Sequence, residues 1–314
     1  MKNKKIVIAG GTGFIGKGLI DHFGDRNDIL ILTRHPKVNK GRTRYIYWDG
    51  ATLNGWESQL ENTDLLINLA GKSVNCRYTE RNKKEIFDSR TRATAVLGEA
   101  IGRLANPPQL WINAASATIY RHAEDRPMDE FTGEIANDFS VQVCKRWEQT
   151  FNNITLPHTR KVILRIAVTL GPQGGVIPPY LNLVKYGLGG HQGNGQQMFS
   201  WVHITDLCRM IAWLYAHPGL DGTFNCSAPY PVRNNTFMET LRKVSGHVMG
   251  LPAPAWLLAM GARLIGTETE LLLKSRWVLP TRITREGFRF QYPHLQGAFE
   301  HILQQLPRQQ YHLF

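Results

Sequence analysis

The sequence predicts an α/β fold of the doubly wound, Rossmann-like class, a parallel sheet with helices on both faces and a smaller C-terminal α+β lobe. Runs rich in β-branched and apolar residues alternate with helix-period segments along the first half of the chain. These runs lie at 5–9, 29–32, 44–48, 65–69 and 110–115. The first run leads directly into a glycine-rich turn and a helix start. Such alternation is typical of parallel strands joined by crossover helices.

Further elements extend this pattern. A long crossover helix is expected between the fourth and fifth runs, because apolar side chains there share one helical face; they are Val96, Leu97, Ala100, Ile101 and Leu104. The apolar run 162–168 continues the sheet. Thr205 is the expected N-cap of a helix that Pro218 ends. Residues 288–290, Phe-Arg-Phe, are expected to form a strand of the C-terminal lobe.

The domain organisation follows from a change in composition after the sheet. We expect the domain that holds the parallel sheet at 1–170, and we expect 201–226 to return to it. Residues 171–200 are rich in glycine and indicate a mobile substrate loop or lid, helical around 179–186. Residues 227–314 are expected to form the C-terminal substrate lobe.

Composition and charge narrow the class of protein. The chain has 314 residues, of which 42% are hydrophobic and 20% charged, as in an ordinary globular protein. Its net charge of +12 favours anionic ligands through electrostatic steering. The basic residues are spread along the chain instead of forming one stripe interleaved with aromatic residues. Nucleic acid is therefore not an expected partner.

The cysteines and apolar segments indicate a cytoplasmic protein without a membrane anchor. Four cysteines lie far apart, with no spacing typical of a metal site or a disulfide framework; they are Cys76, Cys144, Cys208 and Cys226. No metal site is predicted. The apolar stretch 251–265 is interrupted by Pro252, Pro254 and Arg263, so it predicts a packed helix instead of a membrane span.

The strongest motif is the phosphate loop after the first predicted strand. Gly10, Gly13 and Gly16 stand in the G-x-x-G-x-x-G spacing of a strand, tight turn and helix start. Such glycines permit the turn, the approach of backbone N–H groups to a pyrophosphate, and close helix packing. Binding of a dinucleotide is the expected function of this loop, with the side chains and amides of the intervening residues, Thr12, Phe14 and Ile15, beside it.

The end of the second strand favours NADP over NAD. An NAD site usually places an acidic residue there to bind the ribose 2′-OH, whereas this chain has Thr33 and Arg34. A guanidinium suits a 2′-phosphate. Asp49 after the third strand is a candidate for the adenine edge or a turn-forming residue. The fourth strand is followed by backbone expected to line the cofactor, at Leu69, Ala70 and Gly71.

Together these motifs resemble those of the extended short-chain dehydrogenase/reductase superfamily. The resemblance is to an epimerase-like branch, often labelled nucleoside-diphosphate-sugar epimerase or cell-division-inhibitor-like, and it covers nearly the whole chain. It is carried by the phosphate loop, by Leu69-Ala70-Gly71, by Asp88-Ser89-Arg90, by Ser116-Ala117-Thr118-Ile119-Tyr120, by Trp201-Val202-His203 and by residues 287–293.

The resemblance implies a catalytic Ser, Tyr and Lys, and the chain matches only the first. Ser116 stands where the superfamily's serine polarises the substrate carbonyl. The positions of the tyrosine and lysine fall on Ser140 and Cys144. A serine hydroxyl without a base is a poor acid, and a thiol carries no positive charge.

Several residues are candidates to compensate. Tyr120 could present a phenol or be a packing residue, and His203 could titrate near neutrality or be structural. Lys145 is one position from the expected lysine, which favours a solvent-facing side chain. Asp88 and Arg90 are expected at the start of the crossover helix, where capping explains them.

Two functions remain open. The first is an NADP-dependent epimerase or reductase that acts on a small anionic, possibly nucleotide-linked substrate, with the segment 187–195 and Gln196 and Gln197 closing over it. The second is a catalytically degenerate NADP(H)-binding sensor or regulatory protein. A homodimer through the crossover helices is the habit of the superfamily.

Overall fold

The computed structural model describes residues 1–264, 268 and 270–312. Seven parallel strands form the central sheet: β1 (Lys5–Ala9), β2 (Asp28–Thr33), β3 (Thr43–Tyr47), β4 (Leu65–Asn68), β5 (Leu110–Ser116), β6 (Arg160–Ile166) and β11 (Gly222–Cys226). Their order across the sheet is β3-β2-β1-β4-β5-β6-β11. This confirms the predicted α/β, doubly wound class. The strand order reverses between β1 and β4, which is where open α/β sheets bind ligands.

Alternate side chains of the strands pack under different helices. Ile6 and Ile8 of β1 face α1 (Phe14–Phe23) and α5 (Ile204–Ala216), whereas Val7 and Ala9 face α2 (Glu80–Gly102) and α3 (Phe139–Asn152). These four side chains of β1 are fully buried. Because successive strand residues point to opposite faces, helices on both faces require the continuous apolar runs seen in the sequence.

A smaller C-terminal region has its own core. The helices α4 (Ile177–Lys185), α6 (Asn234–Val244) and α10 (Leu295–Gln304) pack together around buried side chains, among them Tyr180, Leu181, Phe237, Met238, Phe299 and Ile302. The remaining helices are α7 (Ala255–Leu264), α8 (Glu270–Leu273) and α9 (Thr281–Arg285). Two small sheets lie outside the central one: β10 (Trp201–His203) with β7 (Val168–Gly171) and β8 (Gly174–Gly175), and β12 (Val232–Arg233) with β9 (Met198–Phe199).

Three local expectations were wrong. The run 162–168 does not form one strand, because β6 ends at Ile166 and Val168 pairs with Trp201 in a separate sheet. Residues 288–290 form no strand: Phe288 is buried against Trp213, and the amides of the following residues, Gln291 and Tyr292, each donate to the Asp206 carboxylate at 2.8 Å. A side chain replaces a strand partner there in satisfying the backbone.

The third concerns the start of α5. His203 is the N-cap, because its Nδ1 accepts a hydrogen bond from the Thr205 amide at 3.1 Å. Thr205 is therefore inside the first turn and does not cap the helix.

The apolar stretch at 251–265 forms a helix, but not a fully packed one. Within α7, Trp256 is 65% exposed and Met260 is 54% exposed, so the prediction of a packed helix was wrong for these side chains. Ile265 lies outside the described residues. In the part of the chain that the structure describes, no helix is long and apolar enough to cross a membrane.

Candidate functional site

The phosphate loop presses against the end of β4. Gly10 has a left-handed φ of +74°, and a Cβ atom there would lie 2.8 Å from the Ala70 Cα. At Gly16 a Cβ atom would lie 2.1 Å from the Gly11 carbonyl oxygen. At Gly13, by contrast, no described atom lies within 4 Å of the added Cβ position. The first two glycines therefore allow close packing within the protein, and Gly13 leaves open space in front of the loop.

The N-terminus of α1 opens onto this space. Gly13 is the N-cap residue and offers no side-chain hydrogen bond to the amides of the first turn, Phe14, Ile15 and Gly16. These N–H groups have no intrahelical partner, and the helix dipole adds partial positive charge. Thr12 is half-buried beside them. The arrangement is an anion site of the kind that holds a pyrophosphate.

The end of β2 carries an unpaired positive charge at the same sheet edge. Thr33 is buried, and its hydroxyl accepts a hydrogen bond from the His35 amide at 3.2 Å. Arg34 is exposed, and its guanidinium makes no hydrogen bond or ion pair with any residue that the structure describes. A phosphate could therefore bind it without displacing a protein partner.

Asp49 is occupied in its own turn. Its carboxylate accepts hydrogen bonds from the amides of Ala51 and Thr52 at 2.8 and 2.9 Å and from the Thr52 hydroxyl at 2.5 Å. Partial burial acts to raise the pKa of Asp49, but these hydrogen bonds outweigh it and lower the pKa. This geometry corresponds to the turn-forming alternative.

The end of β4 completes the edge. The Leu69 amide donates to the Ala9 carbonyl at 2.8 Å, and the Ala70 amide donates to the Asn68 side chain at 3.0 Å. Gly71 follows as an exposed residue. The structure thus brings the glycine loop, the end of β2 and the end of β4 to one carboxyl edge, which is the expected position of a dinucleotide.

Ser116 lies at the end of β5 on this edge and is half-buried. Its hydroxyl accepts a hydrogen bond from the Thr118 amide at 3.2 Å and donates one to the Thr118 hydroxyl at 3.0 Å. The Arg276 Nε in turn donates to the Thr118 hydroxyl at 3.2 Å. The serine is therefore linked to a cation that comes from the C-terminal region.

Ser140 and Cys144 lie on α3, one turn apart. Burial raises the pKa of Cys144 to about 12, so the thiol is neutral at physiological pH and cannot supply the charge of a lysine. Lys145 is exposed, as expected for a side chain rotated away from the sheet.

Tyr120 is not available to a ligand in this structure. It is 2% exposed; its hydroxyl donates to Asn225 at 3.0 Å and accepts from the Arg165 Nη1 at 2.8 Å. Arg165 is also paired with Glu148 through two hydrogen bonds of 2.8 Å. Burial raises the pKa of Tyr120. The side chain is therefore a packed member of a polar network, which corresponds to the packing alternative and not to a phenol presented to a substrate.

His203 is also buried in a structural position. It caps α5 through Nδ1, and its Nε2 lies 3.2 Å from the Nδ1 of His301. Burial, together with His301, lowers the pKa of His203 to about 3. An imidazole that is neutral near pH 7 and holds two contacts is not poised to transfer protons, which corresponds to the structural alternative for His203.

Two residues that the sequence analysis did not single out, Tyr78 and Arg276, lie near Ser140 and Cys144, together with Arg90, which it had assigned to helix capping. Burial raises the pKa of Tyr78, and the neighbouring Ser140 hydroxyl acts in the opposite direction. Arg90 and Arg276 both lie within electrostatic range of the Tyr78 hydroxyl and the Cys144 thiol. Burial lowers the pKa of both guanidinium groups. Both remain charged at neutral pH.

A signal for one of them was present in the sequence but was misread. Asp88 and Arg90 do not cap the crossover helix, because α2 begins at Glu80 and Thr79 caps it by accepting from the Asn82 amide. Arg90 lies well inside the helix and reaches back to Gly71. Tyr78 and Arg276 are far apart in the sequence, and no local pattern marks them.

The comparisons with known proteins agree with the fold. The model of the NAD dependent epimerase/dehydratase family matches residues 6–227, and that of DUF1731, a domain of unknown function, matches 253–302. The chain is 32% identical to an epimerase family protein of Staphylococcus aureus over 96% of its own length and all of the relative's. It is 31% identical to an epimerase family protein of Staphylococcus epidermidis over 96% of its own length and 99% of the relative's.

Two solved structures extend this likeness. The human epimerase family protein SDR39U1 (isoform 2), solved with NADPH, is 28% identical with a TM-score of 0.86, over 96% of this chain and 100% of that one. A nucleoside-diphosphate sugar epimerase from Corynebacterium glutamicum is 25% identical with a TM-score of 0.75, over 96% of this chain and 58% of that one. The chain belongs to the NAD-dependent epimerase/dehydratase family and has its nicotinamide-dinucleotide-binding fold.

Proposed function

We propose that the chain is an NADP(H)-dependent enzyme, an epimerase or a reductase, that acts on a small and possibly nucleotide-linked substrate. The observation that carries the choice of NADP is the unpaired guanidinium of Arg34 at the end of β2. A 2′-phosphate would supply the missing partner. The human relative solved with NADPH supports the same choice.

The residues present fit this cofactor. The open space at Gly13 and the free amides of Phe14 and Ile15 would hold the pyrophosphate, and Thr33 and Arg34 would hold the phosphorylated ribose. Ala70 and Gly71 would border the dinucleotide at the sheet edge, together with the backbone of Leu69, whereas the Asp49 carboxylate is held in its own turn. The bound cofactor would supply hydride transfer, and Ser116 would donate a hydrogen bond to the substrate oxygen.

The test is a titration of the purified protein with NADPH and NADH. Arg34→Ala should weaken NADPH binding by roughly 10- to 100-fold, because a hydrogen bond to a charged group contributes about 1.5–3 kcal/mol, and should leave NADH binding unchanged. Arg26→Ala is the matched control, because Arg26 is an exposed arginine at the opposite end of the same strand. Equal affinities for the two cofactors, or no effect of Arg34→Ala, would contradict the proposal.

The second candidate is an NADP(H) sensor without turnover. It is favoured by the neutral Cys144, by Ser140 at the tyrosine position and by the buried Tyr120. Binding of NADPH, no turnover of a panel of carbonyl compounds and sugar nucleotides, and no change in Ser116→Ala would favour this alternative over the enzyme.

Location and assembly are proposed on narrower grounds. The four cysteines are unpaired and three of them are buried, which is the state expected in the reducing cytoplasm. A homodimer through α2 is proposed because members of the superfamily commonly dimerise through their crossover helices. Light scattering of the purified protein would test it.

A further inference from the structure

Two arginines at the substrate end of the site lack a carboxylate partner. Arg90 donates to the Ile86 carbonyl at 3.0 Å, and its guanidinium lies over the Trp147 ring at 5.2 Å. Arg276 donates to the Thr118 hydroxyl and to the Lys274 carbonyl, at 3.2 and 3.4 Å. Neither forms an ion pair with any described residue. Partly buried positive charges without a partner are costly, and a bound anion would relieve that cost.

The nearby acidic groups are already engaged. Asp138 and Glu270 lie within electrostatic range of Arg276, but both pair with Lys274, whose Nζ is 2.6 Å from Asp138 and 3.6 Å from Glu270. The Lys274 side chain is only 6% exposed. Lys274 hydrogen-bonds Asp138 and lies near Glu270 without hydrogen-bonding it, and neither acid forms an ion pair with Arg90 or Arg276.

Each arginine lies near a residue of the proposed reaction site, Arg90 near Gly71 and Arg276 near Ser116. A Cβ atom at Gly71 would be 3.0 Å from the Arg90 guanidinium carbon, so the missing side chain there lets Arg90 reach the cofactor edge. Arg276 is linked to Ser116 through Thr118. The charges therefore lie on two sides of the place where a substrate would meet Ser116.

The third group is an unused phenol. The Tyr78 hydroxyl is buried and makes no hydrogen bond of good geometry with any described residue, although the Ser140 hydroxyl lies near enough to affect its pKa. Its ring packs on Phe139, with centroids 4.7 Å apart, immediately before Ser140. A hydroxyl donor is thus present next to the position where the superfamily's tyrosine is replaced.

We propose that Arg90, Arg276 and Tyr78 form the substrate subsite, and that it binds a small molecule bearing a phosphate or carboxylate group. The arginines bind the anion, and the Tyr78 hydroxyl donates a hydrogen bond to the same molecule. This inference rests on the proposed function, since it places the anion beside the bound dinucleotide and Ser116. It explains how a site without the usual tyrosine and lysine keeps a hydroxyl donor and positive charge.

The test measures anion binding to protein already saturated with NADP⁺, so that the pyrophosphate site is filled. Inorganic phosphate and acetate are titrated separately by calorimetry, and the tighter of the two indicates the chemistry of the substrate anion. Arg90→Gln and Arg276→Gln should each weaken binding of the preferred anion by at least 10-fold, and Arg90→Lys should restore only part of it, because lysine lacks the planar fork. Tyr78→Phe should weaken it to a smaller extent.

Arg92→Gln is the matched control, because Arg92 is on the same helix, is 63% exposed and pairs with Asp88 at 3.3 Å. It should bind both anions as the wild type does. Unchanged NADP⁺ affinity in each variant shows that the fold and the cofactor site are intact. The inference is overturned if neither anion binds the NADP⁺-saturated wild type, or if both arginine variants bind the preferred anion as tightly as the wild type does. It is also overturned if Arg90→Gln weakens the binding of NADP⁺ instead of the binding of the anion. Failure of NADP⁺ to bind the wild type contradicts the proposed function separately.

Discussion

Gly13 offers a substitution that separates cofactor binding from folding. Its φ of −80° and ψ of −173° suit any L-residue, and a Cβ atom there contacts nothing in the described protein. Gly13→Ala should therefore change the free energy of unfolding by less than about 1 kcal/mol, because the poorer N-cap that alanine provides is offset by the lower conformational entropy of the unfolded chain. For a chain of this size that corresponds to a shift in Tm of about 2 °C.

The effect on cofactor binding should be much larger. The added methyl group enters the open space in front of the amides of Phe14 and Ile15. Loss of two hydrogen bonds to a charged pyrophosphate costs about 3 kcal/mol, which is about a 100-fold weaker Kd for NADPH. The assay is NADPH fluorescence titration, with a thermal melt of the same samples.

Gly16→Ala is the contrasting variant. Its Cβ atom would meet the Gly11 carbonyl oxygen at 2.1 Å, so the backbone must shift and stability should fall by about 2 kcal/mol or more. If Gly13→Ala binds NADPH like the wild type, or if it unfolds as readily as Gly16→Ala, the assignment of the open space to the pyrophosphate is wrong.

Two predictions concern stability. Glu148→Gln should lower the free energy of unfolding by about 3 kcal/mol, because it breaks the ion pair with Arg165, in which both side chains are about nine-tenths buried. Lys84→Met breaks the more exposed pair with Asp88 and should lower it by less than about 0.5 kcal/mol. Urea unfolding of the two variants and the wild type measures the difference. Burial lowers the pKa of His203 to about 3, whereas the pKa in the unfolded chain is about 6.5. Between these values the unfolded state binds more protons than the folded state. The free energy of unfolding should therefore fall as the pH drops below about 6.5, by up to about 1.4 kcal/mol per pH unit. His203→Asn keeps an acceptor for the Thr205 amide and should make the free energy of unfolding less dependent on pH between about pH 6.5 and 4.5. An unchanged pH dependence in this variant would mean that other groups cause it.

The sequence by itself determined the central fold and the phosphate loop. The strands of the sheet were predicted to within one or two residues at β1, β2 and β3, because continuous apolar runs are needed where both faces are covered. The glycine spacing from Gly10 to Gly16 was equally informative, since a strand, a tight turn and a helix start are set by neighbouring residues. The position of Arg34 at the end of β2 follows from the same local argument, whereas only the structure shows that its guanidinium has no partner among the described residues.

Interactions between distant segments were decided only by the tertiary structure. Asp206 accepts from the amides of Gln291 and Tyr292, just after the expected strand at 288–290, and Val168 pairs with Trp201 outside the central sheet. The local sequence predicts neither outcome, because each depends on which distant segment meets a free backbone group.

The candidate substrate site shows the same division. Ser116 was identified from the resemblance to the superfamily, but Tyr78, Arg90 and Arg276 come from a loop, a helix interior and the C-terminal region. No periodicity or spacing relates them, because their proximity exists only once the sheet has brought these segments to one edge. The two guanidinium groups without a carboxylate partner and the buried Tyr78 hydroxyl, and not the sequence context, are the basis for proposing these residues as a binding site.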